Sequence, residues 1–174
     1  MTDLDFENLS PKEARDFLDY FIASGSDAIT ELTPAAAQED IELDYSLLSL
    51  PKALGWFATK LRFHQIPIPP DIPEWLKASS PPYFAEFDDQ SKMLMAHASF
   101  YFGECFARLP GMRWTTGDPE YMEKHMPVVT GFSDEVNLPP LVVVKNMFTK
   151  VVVDGAPTSE FESGAAAWRR GCRE

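Results

Sequence analysis

Four side chains of this 174-residue chain are spaced so that they could do chemistry together: His97, Tyr101, Glu104 and Arg108. At i, i+4, i+7 and i+11 they fall on one narrow face of a helix, inside the stretch HASFYFGECFARLPGMRW that runs from His97 to Trp114. A carboxylate flanked by Phe102, Cys105 and Phe106 would be desolvated, which raises a carboxyl's proton affinity and fits it for acid or base work. His97 and Tyr101 would complete the polar site, and His125 is a further candidate from outside the helix. No serine or cysteine nucleophile is in register with them, and Cys105 lies on another face. The competing account is structural: Glu104 pairs with Arg108 one turn on, or caps the amides of a loop, and so fixes packing.

Beyond that face the chemistry is sparse. His64, His97 and His125 form no HExxH or comparable pair, so no metal site is expected. There is no glycine-rich phosphate loop, no GxSxG and no kinase signature, and no cofactor is expected. Cys105 and Cys172 make neither a CxxC nor a zinc spacing and read as reduced thiols.

The elements that must position these residues can be taken from periodicity. Ser10-Pro11-Lys12-Glu13 carries an N-cap serine, a proline at the first helical position and a glutamate placed for a capping box. Ala14, Phe17, Leu18, Phe21 and Ile22 then form one apolar stripe, with Asp16 and Asp19 on the solvent side and Gly25 as the expected stop. Ser26 to Thr33 reads as a separate short helix ended by Pro34, and Ala35 to Leu43 as an acidic connector or another short helix. Leu50, Leu54, Phe57, Ala58 and Leu61 mark a second core helix from Leu50 to Phe63. The six prolines between Pro67 and Pro82 exclude a continuous helix or central strand there and leave an extended segment lying against the body.

Asp88 or Asp89 should cap the central helix, Gln90 to Leu109, which is apolar on most sides and therefore buried among others. Gly103 in its middle costs about 1 kcal/mol relative to alanine, a cost best explained by close approach of another helix or of the Trp114 strand. Arg113–Thr116 and Met126–Phe132 read as strands joined through a turn at Gly117-Asp118-Pro119. The run LVVVKNMFTKVVVDG after Pro140 is rich in valine, yet its apolar positions recur with helical period and predict a helix ending at Asp154-Gly155. Ser159 with Glu162 looks like another capping box, and Phe161, Ala165 and Trp168 share a face of a C-terminal helix in the tail region, residues 156–174. The expected fold is α+β and mostly helical: one domain spanning 1–174, a central buried helix, flanking helices and a small antiparallel sheet of two or three strands.

Charge points outward. The chain has 15 basic and 27 acidic residues, and the excess is uneven: Met1 to Tyr45 holds 12 acids and two bases, a net of −10, whereas the remainder nets −2. Phosphate binding needs a basic footprint, so nucleic acid is an unfavourable partner. No apolar run approaches the ~20 residues of a membrane helix. The start MTDLDFENLSPKE has acids where a signal peptide carries bases, so a cytoplasmic location is expected. A one-signed surface steers oppositely charged proteins. Asp16, Asp19, Glu39, Asp40 and Glu42 are the candidate partner-binding residues.

Two segments, Leu43-Asp44-Tyr45-Ser46 through Ser49-Leu50 and Tyr101-Phe102-Gly103-Glu104 with Arg108, Gly111 and Trp114, make a further pattern. The pattern resembles a loose group of small uncharacterised bacterial proteins with an L-D-Y-x-x-x-S-L helix start and an aromatic-x-G-E helix running into a G-x-x-W strand. Some of them are similar to immunity proteins encoded beside polymorphic or contact-dependent toxins. The resemblance covers about a third of the chain, defines no catalytic residue and does not include the Pro67 to Pro82 stretch. It implies a helix-rich α+β fold and a binding role, with a basic toxin domain as the kind of partner. The leading expectation is therefore a non-enzymatic protein-binding factor; the alternative is a small enzyme or ligand-binding domain using the His97, Tyr101, Glu104 and Arg108 face.

Overall fold

A computed structural model describes residues 5–67, 83–133 and 136–172. After a short 3-10 turn at Phe6–Asn8, helix α1 spans Pro11–Ala37 and opens with the expected capping box: the Ser10 amide donates to Glu13 Oε2 at 2.8 Å and the Glu13 amide donates to Ser10 Oγ at 3.3 Å. The helix does not stop at Gly25. A Cβ at that position would fall on the ring of Phe100, so the glycine serves close helix packing and not a left-handed cap. Nor does Pro34 end it. The proline sits in the last turn, where the carbonyl left without a partner is that of solvent-exposed Thr30. What looked like two or three short pieces is one 27-residue helix, about 40 Å long at 1.5 Å per residue.

Helix α2, Leu50–Lys60, buries Leu50, Ala53, Leu54, Trp56 and Phe57, with proline in its first turn as expected. It ends before Phe63, because Phe63–Pro67 is not helical: it is strand β1, paired antiparallel with β2, Tyr83–Phe87, in the register Phe63↔Phe87 to Pro67↔Tyr83. The proline-rich reading falls mostly on residues 68–82, outside the described residues. Helix α3, Asp89–Ala107, begins at Asp88, whose carboxylate accepts the Ser91 amide at 2.7 Å; Ser91 Oγ in turn accepts the Arg62 amide at 2.7 Å and ties the base of the hairpin to the helix.

Helix α3 is the centre. Met95, Ala98, Phe100, Phe102, Cys105 and Phe106 on its different sides are all buried, and α1, α2, the second hairpin and the following helix all pack on it. That hairpin consists of β3, Arg113–Thr116, and β4, Pro127–Thr130, with Trp114 opposite Val129. The valine-rich run is helical as its period required: α4 covers Pro140–Phe148. It continues as a π-turn, Thr149–Val153, before Asp154, a widening that nothing in the residue pattern announced. Helix α5, Ser159–Arg170, buries Phe161 and Ala165 against α2 and α4, while its expected capping box is absent. Ser159 is already the first helical residue and Thr158 occupies the N-cap without a side-chain bond.

The fold is thus a mostly helical α+β domain with two small antiparallel two-stranded sheets among the described residues, built on one contiguous cluster of buried side chains to which each of the five described helices contributes. No described helix is long and apolar enough to cross a membrane.

Candidate functional site

The four residues of the candidate face on α3 do not line a common cavity: Tyr101, Glu104 and Arg108 are engaged in one packed joint, and His97 lies apart from it. Tyr101 is fully buried and turns toward the segment before α2. Its hydroxyl lies 2.5 Å from Ser49 Oγ and accepts the Tyr45 amide at 3.2 Å. Ser49 Oγ also donates to the Ser46 carbonyl at 2.9 Å. One proton direction satisfies the whole chain: the Tyr45 amide donates to Tyr101, Tyr101 to Ser49, and Ser49 to Ser46. Burial pushes the Tyr101 phenol well above its ordinary value, with the Ser49 bond opposing, so it stays protonated as this chain needs.

Glu104 is one-fifth exposed and has both carboxylate oxygens engaged. Arg108 Nε donates to Oε1 at 2.9 Å and the Trp114 indole Nε1 donates to Oε2 at 2.9 Å. The Arg108 guanidinium also stacks over the Tyr45 ring at 3.8 Å, and the rings of Tyr45 and Tyr101 lie 5.2 Å apart. Tyr45 itself has φ +61°, a left-handed conformation unusual for a bulky residue. The bond from its amide to Tyr101 and the Arg108 stack hold it there.

Gly103 explains the other side of the helix. A Cβ at that position would fall on the indole of Trp114 and crowd Pro140; in its place the indole stacks on Phe100, with centroids 6.2 Å apart at 5° between planes, and meets Phe21 of α1 edge-on at 5.7 Å. The segments Leu43–Leu50 and Tyr101–Trp114 therefore meet in space through Tyr101, Ser49, Tyr45, Arg108, Glu104 and Trp114. They form a joint that spans the segment before α2, α3 and β3.

His97 is not part of it. It is half-buried facing α1, and burial holds its imidazole below the ordinary value of 6.5, with the charge of Glu31 opposing. His125 is buried in the loop before β4 at φ +61°, its Nδ1 3.3 Å from the Phe6 carbonyl. Cys105 is buried and Cys172 partly buried, both as free thiols. Burial pushes the Cys105 thiol far up, out of the range in which a thiolate forms near neutral pH. Among the described residues no cluster of histidine, cysteine, aspartate or glutamate could hold a metal ion.

The acidic candidates divide into two groups. Asp16 and Asp19 sit near the start of α1, Asp16 paired with Lys12 at 2.8 Å. Glu39, Asp40 and Glu42 lie beyond its other end, a helix length away. Glu39 is held by Lys60 at 2.8 Å, and that bond keeps its carboxyl below the usual range. Asp40 and Glu42 are exposed and line an open cleft of about 790 Å³ together with Asp44, Leu48 and Lys52. Asp44 accepts the Ser46 amide at 2.8 Å; burial works against its ionised form, but this bond and the nearby hydroxyls of Ser49 and Ser46 outweigh it and hold it below the usual carboxylate range.

Leu48 is the residue that charge counting passes over. It is 84% exposed, although Leu47 and Ser49 on either side of it turn inward. None of His97, Tyr101, Glu104 and Arg108 lines this cleft, nor a second open groove of about 520 Å³ beside α4. No protein-family model, curated protein sequence or solved structure matches the chain.

Proposed function

We propose that the protein is a non-enzymatic, cytoplasmic protein-binding factor, of the immunity type, that occludes a basic partner such as a toxin domain. The observation that carries the reading is the surface at the end of α1: Leu48 projects 84% exposed beside a cleft bearing Asp40, Glu42 and Asp44. An apolar anchor beside a mainly acidic cleft, where three carboxylates outnumber Lys52, is an arrangement that gives both contact energy and steered encounter. Rigidity supports it, because the turn that presents Leu48 is fixed by the Tyr101, Ser49 and Asp44 hydrogen bonds, so little ordering entropy is lost on binding. Asp16 and Asp19, at the far end of α1, contribute to the long-range field and not to the same contact.

The engagement of Glu104 by Arg108 and Trp114 favours this over the alternative of a small enzyme built on the α3 face. The test is inhibition of the protein encoded beside this one by purified wild type and by Leu48→Asp. Wild type should suppress its activity at stoichiometric amounts and the variant should fail to do so; equal inhibition by both would remove Leu48 from the contact, and no inhibition by wild type would refute the reading.

A further inference from the structure

An open, largely apolar groove is lined by α3 and α4. On α3, Lys92, Met95, Ala96 and Ser99 recur at i, i+3, i+4 and i+7 and present one face; on α4, Leu141, Val142, Lys145 and Asn146 do the same one turn apart. Strand β2 closes one side through Ala85 to Phe87, and Phe6 and Met126 close the rest, leaving an open groove of about 520 Å³. Ligand sites commonly enclose about 300–1,000 Å³.

The groove is chemically two-ended. Its floor is apolar, with Phe87 and Met95 almost fully buried, and methionines such as Met95 and Met126 adapt to a flexible chain. Polar groups in that floor are already satisfied, since the Ser99 hydroxyl donates to the Met95 carbonyl at 2.7 Å. At the rim Lys92 is engaged by Glu86 at 3.1 Å. Lys145 is exposed and makes no ion pair among the described residues, with the Asn146 side chain adjacent.

We infer that this groove binds a soluble amphiphile with a single anionic head and an apolar chain, of the class of a free fatty acid, with the chain on Met95, Met126 and Phe87 and the carboxylate at Lys145 and Asn146. Charge selects the head: Lys145 makes no ion pair among the described residues, and Glu86, the acid in the groove lining, is paired with Lys92. Charge also selects the source. A net charge of −12 disfavours approach to an anionic bilayer, so the ligand is a free molecule and not a lipid in a membrane. The inference stands independently of the proposed protein-binding role, since it uses neither Leu48 nor the carboxylates around it.

The probe is dodecanoate below its micellar concentration, titrated into the full chain by calorimetry and by amide chemical shifts. Saturable one-site binding is expected, with shifts confined to α3, α4 and β2. Lys145→Glu, a surface change that leaves the core intact, should weaken it about tenfold or more, the size of a lost charge-assisted bond. Ala96→Trp, which fills the groove, should abolish binding while circular dichroism remains unchanged; if that variant fails to fold, Lys145→Glu decides alone. Dodecyltrimethylammonium, with the same chain and opposite head, should bind at least tenfold more weakly. The proposal is overturned by absence of saturable dodecanoate binding, by equal binding of the cationic amphiphile, by an unchanged affinity in Lys145→Glu, or by flotation with phosphatidylglycerol vesicles in place of binding to the free acid.

Discussion

The phenolic oxygen of Tyr101, in the middle of α3, lies 2.5 Å from Oγ of Ser49, fifty-two residues earlier and at the start of α2. Through this contact the central helix fixes the turn that holds Leu48 out beside the acidic cleft. Tyr101→Phe removes one oxygen and leaves both the Tyr45 amide and Ser49 short of a partner in a buried place. A loss of about 1–3 kcal/mol is expected in urea unfolding, together with faster hydrogen exchange at the Tyr45 amide. A variant as stable as wild type would show that the turn is held by packing alone.

Glycine at position 103 runs against helix propensity by about 1 kcal/mol. Replacement by alanine should nevertheless destabilise, because the added methyl meets Trp114 and Pro140. The net expectation is about 1–3 kcal/mol of lost stability, the range for overpacked cores, with a changed tryptophan fluorescence as the Phe100 stack opens. Gly25→Ala should behave alike through Phe100. A gain in stability at either site would contradict the close approach.

Glu104 can be separated into its two bonds. Glu104→Gln keeps a carbonyl oxygen for the Trp114 indole and loses only the charge pairing with half-exposed Arg108, which is worth about 0.3–0.5 kcal/mol for such a pair. Glu104→Ala also orphans the indole, adding about 1–3 kcal/mol. Thermal unfolding should therefore rank wild type close to glutamine and well above alanine. Equal loss in the two variants would make the charge, and not the hydrogen bond to Trp114, the important feature.

Much of this arrangement was legible in the residues. Caps at Ser10 and Asp88, the strand Arg113–Thr116 and the helical period hidden in LVVVKNMFTK were local signals, and local signals survive folding when nothing distant opposes them. The use of Gly103 for the Trp114 approach and the pairing of Glu104 with Arg108 were equally readable. What failed depended on partners far along the chain. Gly25 reads as a helix stop until Phe100 is known to lie against it, and Phe63 reads as helical until its pairing with Phe87 supplies a strand. Likewise the α3 face looked like one polar site, because spacing places side chains on a face and says nothing of what each one meets: Tyr101 meets the turn before α2, Glu104 meets β3, and His97 meets α1. Leu48 gave no signal, since a leucine in an apolar run looks like core.

Burial places the His97 imidazole below 6.5 in the folded state, so the unfolded chain takes up its proton at higher pH than the fold does. The stability tied to neutral His97 is then complete above that value and is lost as pH falls through it. Urea midpoints between pH 7.5 and 5 should fall more steeply for wild type than for His97→Gln. Parallel profiles would mean that the imidazole is free to charge in place.

The proposed role rests on the acidic surface around Leu48, and association kinetics reach it directly. Stopped-flow mixing with the product of the neighbouring reading frame, at a series of salt concentrations, should give an association rate that falls steeply with ionic strength. In Asp40→Lys/Glu42→Lys it should fall at least about tenfold at low salt and lose most of its salt dependence. An association rate and salt dependence unchanged in that variant would contradict binding through this surface.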